Sequence, residues 1–123
     1  GSSDYYLGSV VAYANEVKSG MLGIDPGLIE KHGAVSEEVV RALAENACCI
    51  LKADYSIATS GIAGPSGGTE EKPVGTVWMA IKGPAKCITR KLQLGRMRER
   101  IIIEAGNHAL NELRKLILSD LNG

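Results

Sequence analysis

The stretch Tyr55-Ser56-Ile57-Ala58-Thr59-Ser60-Gly61-Ile62-Ala63-Gly64-Pro65-Ser66-Gly67-Gly68-Thr69 decides how this chain is read. Tyr55 to Thr59 is a short apolar run and reads as a strand. Two hydroxyls, Thr59 and Ser60, stand at its end, and glycines follow at 61, 64, 67 and 68. Glycine tolerates positive φ and lets backbone approach a ligand closely. Ligands in open α/β sheets bind beyond the carboxyl ends of strands. The chemistry is therefore expected in this loop. Segment 61–74, which also holds Pro65 and Pro73, is longer than most simple connections.

Toward the N-terminus, Leu7 to Tyr13 is apolar and β-branched and reads as a buried strand. Asn15 is a candidate N-cap with Glu16 in the first turn, opening a short helix near 16–22 that stops by Gly23. Pro26 can start a second short helix toward Lys31, ended by Gly33. Ser36 caps a longer helix whose apolar positions Val39, Val40, Leu43, Ala47, Ile50 and Leu51 recur at three- and four-residue spacing. Beyond the loop, Thr76 to Ile81 is a strand, Gly83-Pro84 a turn, and Lys86 to Leu92 an alternating strand that pairs as a hairpin. A long amphipathic helix runs from about 96 to 121, with Ile102, Ala105, Ala109, Leu110, Leu113, Leu116 and Ile117 as its buried stripe. This order predicts one α/β domain with a mixed sheet, in which Leu7–Tyr13 and Tyr55–Thr59 are parallel neighbours. Tyr13 and Ser60 would then share a carboxyl edge.

Bulk properties narrow the function. The 123 residues are 45% hydrophobic, enough for a modest core, and the formal net charge is zero. A nucleic-acid or membrane-surface module would normally be basic. No apolar run reaches the roughly 20 residues of a membrane span, and no signal-peptide pattern opens the chain. Cys48, Cys49 and Cys87 have no metal-ligand spacing and fit buried free thiols in a reducing compartment.

Histidine chemistry has little support. His32 lies at a helix end, His108 in mid-helix, and no H-x-x-x-H pattern exists. The loop matches neither G-x-x-x-x-G-K-[ST] nor G-x-G-x-x-G. What remains is hydroxyls and lysine: Tyr13, Ser60 and, in the first turn after Asn15, Lys18. A lysine can act as a base when desolvated, whereas a serine needs such a base to become a nucleophile. Lys18 could equally be a solvated helix residue and Tyr13 a core residue. Arg96, Arg98 and Arg100 gather where the last helix begins, and one of them on a phosphate is the expectation.

These residues also carry a family resemblance. Gly8-Ser9-Val10-Val11-Ala12-Tyr13-Ala14-Asn15-Glu16-Val17-Lys18 resembles the "GGVVAYSNEVK" segment of the CinA C-terminal domain family. Leu22-Gly23-Ile24, Gly33 to Val39, Ala58 to Pro65 and Lys72 to Val77 resemble further segments in the same order. The resemblance implies a three-layer α/β/α fold with a mixed, mostly parallel sheet. It also implies a cytoplasmic, metal- and cofactor-independent amidohydrolase of pyridine nucleotide recycling, converting nicotinamide mononucleotide to nicotinate mononucleotide and ammonia, as a homo-oligomer such as a dimer. Carried over by position, it assigns Lys18, Tyr13 and Ser60 to catalysis. Asn15, Thr59, Gly61, Ala63, Gly64 and either Arg98 or Arg100 would bind substrate. Gly1-Ser2-Ser3-Asp4 is similar to the middle of the family's "PGSS" segment. The "ESCTGG" motif with the family's nucleophilic serine, and the first strand and helix, are thus expected upstream of Gly1. On that expectation the 123 residues alone are inactive and unstable. The alternative is a non-catalytic nucleotide-binding or interaction module of a competence/damage-inducible protein.

Overall fold

The computed structural model describes residues 1–123. Helices α1 (Asn15–Gly20), α2 (Pro26–His32) and α3 (Glu37–Leu51) precede strands β1 (Ser56–Gly61), β2 (Thr76–Lys82) and β3 (Cys87–Gln93), and α4 (Arg98–Asn122) closes the chain. Local chemistry sets the helix starts. Pro26 stands at the first position of α2, where its fixed φ suits the helix, and the Asp25 carboxylate accepts the Gly27 N–H at 2.9 Å. The Ser36 hydroxyl accepts the Val39 N–H at 3.3 Å, as expected of the α3 cap. Asn15 does not cap α1: Ala14 holds the cap position without a side-chain bond, and Asn15 is the first helical residue.

The sheet is three-stranded, ordered β1-β2-β3, and both pairings are antiparallel. The expected mostly parallel sheet is therefore corrected. Its parallel partner was to be Leu7–Tyr13, and that segment forms no ladder: none of its residues donates a backbone hydrogen bond. It does keep the side-chain alternation of extended chain. Val10 and Ala12 pack on the cluster of Leu22, Ile24, Ile29, Val39 and Leu43, whereas Val11 and Tyr13 are 85% and 86% exposed. An apolar, β-branched run reports extended backbone with two unlike faces, and this needs no strand partner. The remaining strands are joined by a loop and a tight turn, connections that deliver antiparallel neighbours.

Helices cover both faces of the sheet. On one face Ala80 meets Val40 and Ala44 of α3, with Ala58, Trp78 and Cys87 packed around them. On the other, Met79 and Ile81 meet Ala109 and Leu116 of α4, with Ile88 and Leu92 beside them. Met79, Ala80 and Ile81 are fully buried in succession, so β2 is the centre of the core. Burial of a side chain such as Met79 or Ile81 contributes roughly 1.5–3 kcal/mol.

The predicted helical stripes are partly displaced. In α3, Val39, Val40 and Leu43 are buried as expected, but Ile50 is 49% exposed. In α4 the buried residues are Ile101, Ala109 and Leu116, whereas Ile102 and Leu110 are exposed. One residue turns a helix by about 100°, and α4 carries apolar residues on two adjacent stripes, of which only one meets the sheet. Cys49 is exposed rather than buried, and Cys48 and Cys87 are half-buried.

Candidate functional site

Alternation along β1 separates the two hydroxyls that end it. Ser56, Ala58 and Ser60 turn toward α3; Ile57 and Thr59 turn toward the α4 side. Thr59 and Ser60 thus serve different faces and are not one paired site. Ser60 stands across from Trp78 on β2, and Trp78 in turn stands across from Lys91 on β3. Ser60 is half-buried on that face.

Lys18 behaves unlike a solvated lysine. It lies in α1 and is 7% exposed. Its ammonium donates to the Tyr13 carbonyl at 3.2 Å, and it forms no ion pair. Tyr13 therefore joins the arrangement through its backbone, while its ring points into solvent. Asn15 is exposed beside it. The extended segment carrying Tyr13 and the strand carrying Ser60 share a cluster, since Val10, Ala12 and Ala58 all pack against the group of Leu22, Ile24, Ile29, Val39 and Leu43. Lys18 is bonded to the Tyr13 carbonyl and not to Ser60, and its helix α1 packs against α2.

The glycine loop is framed by its own backbone. The Ile62 N–H donates to Thr76 O at 2.9 Å and the Gly75 N–H to Ile62 O at 2.7 Å, prolonging the β1–β2 pairing past Gly61. A turn at its far end is closed by the Thr69 N–H on Lys72 O at 2.9 Å and the Lys72 N–H on the Thr69 hydroxyl at 3.0 Å. Gly64 has φ +77°, and a Cβ there would lie 2.6 Å from Val74 Cγ1. A Cβ on Gly61 would lie 2.8 Å from Val77 Cγ2. Both glycines are thus required for close approach of the two limbs of the loop. Ala63 between them is half-buried.

Two cations fasten this loop to helices. Arg98 at the start of α4 donates to Gly64 O at 3.0 Å, and Lys72 donates to His32 O, at the end of α2, at 2.7 Å. Of the arginines considered for an anion, Arg98 therefore reaches the loop, and Arg100 turns along its own helix to Glu104 at 3.4 Å. Arg96 and Arg100 line a shallow cavity of about 310 Å³ with Gln93, Leu94 and Met97. His108 is exposed, and His32 faces Glu38 at 3.7 Å.

Sequence reasoning missed Lys72 as a tether and Trp78 with Lys91 as a facing pair. The second was legible. Once the Gly83–Lys86 turn puts Lys82 opposite Cys87, counting by one residue along each strand puts Trp78 opposite Lys91.

An α/β domain with a buried, unpaired lysine and a glycine-framed strand end is the class that fold and site define. This chain belongs to the CinA C-terminal domain family, whose model matches residues 1–117. A CinA-like protein of Mycobacterium avium (strain 104) is 51% identical over 122 residues, covering 95% of this chain and 28% of the relative. A CinA-like protein of Prochlorococcus marinus (strain MIT 9313) is 48% identical over 119 residues, again covering 95% and 28%. Among solved structures, the competence damage-inducible protein A of Klebsiella pneumoniae subsp. pneumoniae MGH 78578 superposes with a TM-score of 0.84 at 31% identity, covering 89% of this chain and 68% of that one. The competence/damage inducible protein of Agrobacterium tumefaciens gives 0.82 at 34% identity, covering 85% and 64%. The chain thus spans about 28% of the length of the curated relatives it matches.

Proposed function

We propose that this chain is the nucleotide-handling part of a metal-independent amidohydrolase, which converts nicotinamide mononucleotide and water to nicotinate mononucleotide and ammonia. The observation that carries the reading is Lys18, a buried amine bonded to a backbone carbonyl and unpaired with any carboxylate. Lysines in protein interiors are normally paired, so an unpaired one is a candidate base. In this reading a serine hydroxyl attacks the carboxamide carbon. Lys18 takes the hydroxyl proton and returns it to the departing nitrogen, so that ammonia leaves an acyl ester, which water then hydrolyses. The attacking serine is assigned to the family's "ESCTGG" motif, which is not among the 123 residues.

Ser60 and N–H groups of the glycine loop would hold the carboxamide oxygen as it becomes an oxyanion. Asn15, Ala63 and the Tyr13 segment would border the nucleotide, and Thr59, which turns to the α4 side, falls outside this site. Arg98 is favoured over Arg100 for its phosphate end, because it already reaches the loop. The test is ammonia release from nicotinamide mononucleotide by the full-length protein. Loss of activity of about 100-fold or more in Lys18→Met is expected; no turnover by a correctly folded protein sinks the reading. A second reading, a non-catalytic nucleotide-binding or interaction module, is favoured by one observation: the Lys18 amine bonds the Tyr13 carbonyl and no serine hydroxyl. Nucleotide binding without ammonia release would select it.

A further inference from the structure

One side chain, Val74, is gripped by the backbone of the glycine loop at two places. A Cβ on Gly64 would meet Val74 Cγ1 at 2.6 Å, and a Cβ on Gly68 would meet its N at 2.7 Å and its Cγ2 at 2.9 Å. Val74 is half-buried. Packing this close leaves no slack, so the place of Val74 sets the path of the backbone at Gly64 and Gly68. The N–H groups of Ala63, Gly64, Gly67 and Gly68 donate to no backbone carbonyl, so this path also decides where free donors point. Pro73 precedes Val74; its ring fixes φ and holds Lys72 in extended backbone. A shift at Lys72 is therefore passed on to Val74.

Lys72 is fastened far from its own loop. Its ammonium donates at 2.7 Å to the carbonyl of His32, 40 residues earlier in the chain. His32 is the last residue of α2, where the helix presents free carbonyls and favours a cation. Gly33 lies against the ammonium: a Cβ there would stand 3.0 Å from Nζ. Glu37, Glu38 and Glu71 line the same cavity, yet Lys72 forms an ion pair with none of them. Within the loop, the Lys72 N–H donates to the Thr69 hydroxyl and its carbonyl accepts from the Thr69 N–H. No backbone hydrogen bond ties residues 65–72 to the rest of the chain, and the segment carries Gly67 and Gly68, the most permissive residues. The Lys72 ammonium is what fastens it.

From these observations we infer that Lys72 is a positioning residue. Its ammonium straps the far limb of the glycine loop to the corner between α2 and α3, and through Pro73 and Val74 it fixes the backbone N–H groups around Gly64 and Gly68. The inference rests on the function proposed above and deepens it. Oxyanion stabilisation needs donors that are already aimed where the charge will develop. That charge exists in the transition state and not in the bound amide, so a loosened loop lowers kcat more than it raises KM. Lys72 acts through the loop backbone and needs no contact with the substrate.

The test compares the full-length protein with its Lys72→Met variant, which keeps the length of the side chain and loses the ammonium. Two readouts are taken: ammonia release from nicotinamide mononucleotide, and the rate at which a glutamate-specific protease cuts after the exposed Glu70. In Lys72→Met, cleavage should quicken several-fold. The kcat should fall about tenfold or more while KM stays within about threefold. Lys31→Met makes the same charge change at an exposed position of α2 and should alter neither readout. Cleavage at the native rate in Lys72→Met overturns the inference, even in an active enzyme. So does faster cleavage with native kcat, or a lower melting temperature with native kcat per folded molecule, the signs of a purely structural bond. An equal effect of Lys31→Met reduces the result to net charge and overturns it too. No ammonia release by the native protein removes the amidohydrolase reading and the catalytic role of Lys72 with it, and faster cleavage in Lys72→Met would then leave the strap standing as a structural tether.

Discussion

Lys18 shows what a single position can hide. Its place in the first turn after Tyr13 and Asn15 was visible in the sequence, yet nothing there distinguished a solvated helix lysine from one that is 7% exposed. Burying an unpaired ammonium costs stability, and a site under functional demand tolerates such a cost. Under the proposed function, Lys18→Met is therefore expected to raise the melting temperature or leave it unchanged while removing ammonia release; a thermal scan beside the assay checks both. Gly64 behaves oppositely. Its φ of +77° and the 2.6 Å approach to Val74 leave no room for a methyl group, so Gly64→Ala should destabilise the domain by about 1–3 kcal/mol in urea unfolding. The thiols should also separate: Cys49 is exposed, whereas burial pushes the Cys87 thiol up from its ordinary value. Thiolate is the reactive form, so iodoacetamide should alkylate Cys49 well before Cys87, as peptide mapping over time would show.

At the scale of elements, one hydrogen bond joins the end of the long helix to the start of the sheet. The Tyr55 hydroxyl donates to Asp120 Oδ2 at 2.6 Å. That bond, with some loss of hydration and the nearby charges of Asp120 and Asp54, raises the phenol above its ordinary value of 10.0. A group whose pKa is raised on folding contributes stability that is complete below the unfolded value and is lost as pH climbs through the folded one. The melting temperature should therefore drop between pH 10 and higher pH by more in the native protein than in Tyr55→Phe. Equal slopes would remove the bond from the account.

The elements themselves were largely legible. Ser36 and Pro26 mark the starts of α3 and α2, and the Gly83-Pro84 turn marks the hairpin, because caps and turns are local chemistry. Leu7–Tyr13 was not legible, because composition reports an extended, two-faced segment but not whether a neighbour completes its ladder. For the same reason the direction of the sheet was misjudged. The separation of Thr59 from Ser60 followed from strand alternation alone and needed only the strand to extend to Gly61.

At the scale of the molecule, a central strand buried on both faces makes stability depend on a few side chains. Met79 is fully buried against α4, so Met79→Ala should cost about 2–5 kcal/mol in urea unfolding, far more than the same change at the exposed Met21 or Met97. Among the helices, none is long and apolar enough to cross a membrane.

The order β1-β2-β3 leaves β1 bonded on one side only. In an antiparallel ladder, successive amides of such a strand point alternately to the neighbour and away from it. Followed residue by residue in deuterated water, β1 of this chain should therefore exchange in a saw-tooth, one amide protected and the next not, whereas β2 should exchange slowly and evenly along its length. The same record taken on a longer form of the protein would show whether another strand lies on that edge, because pairing would flatten the saw-tooth into uniform protection.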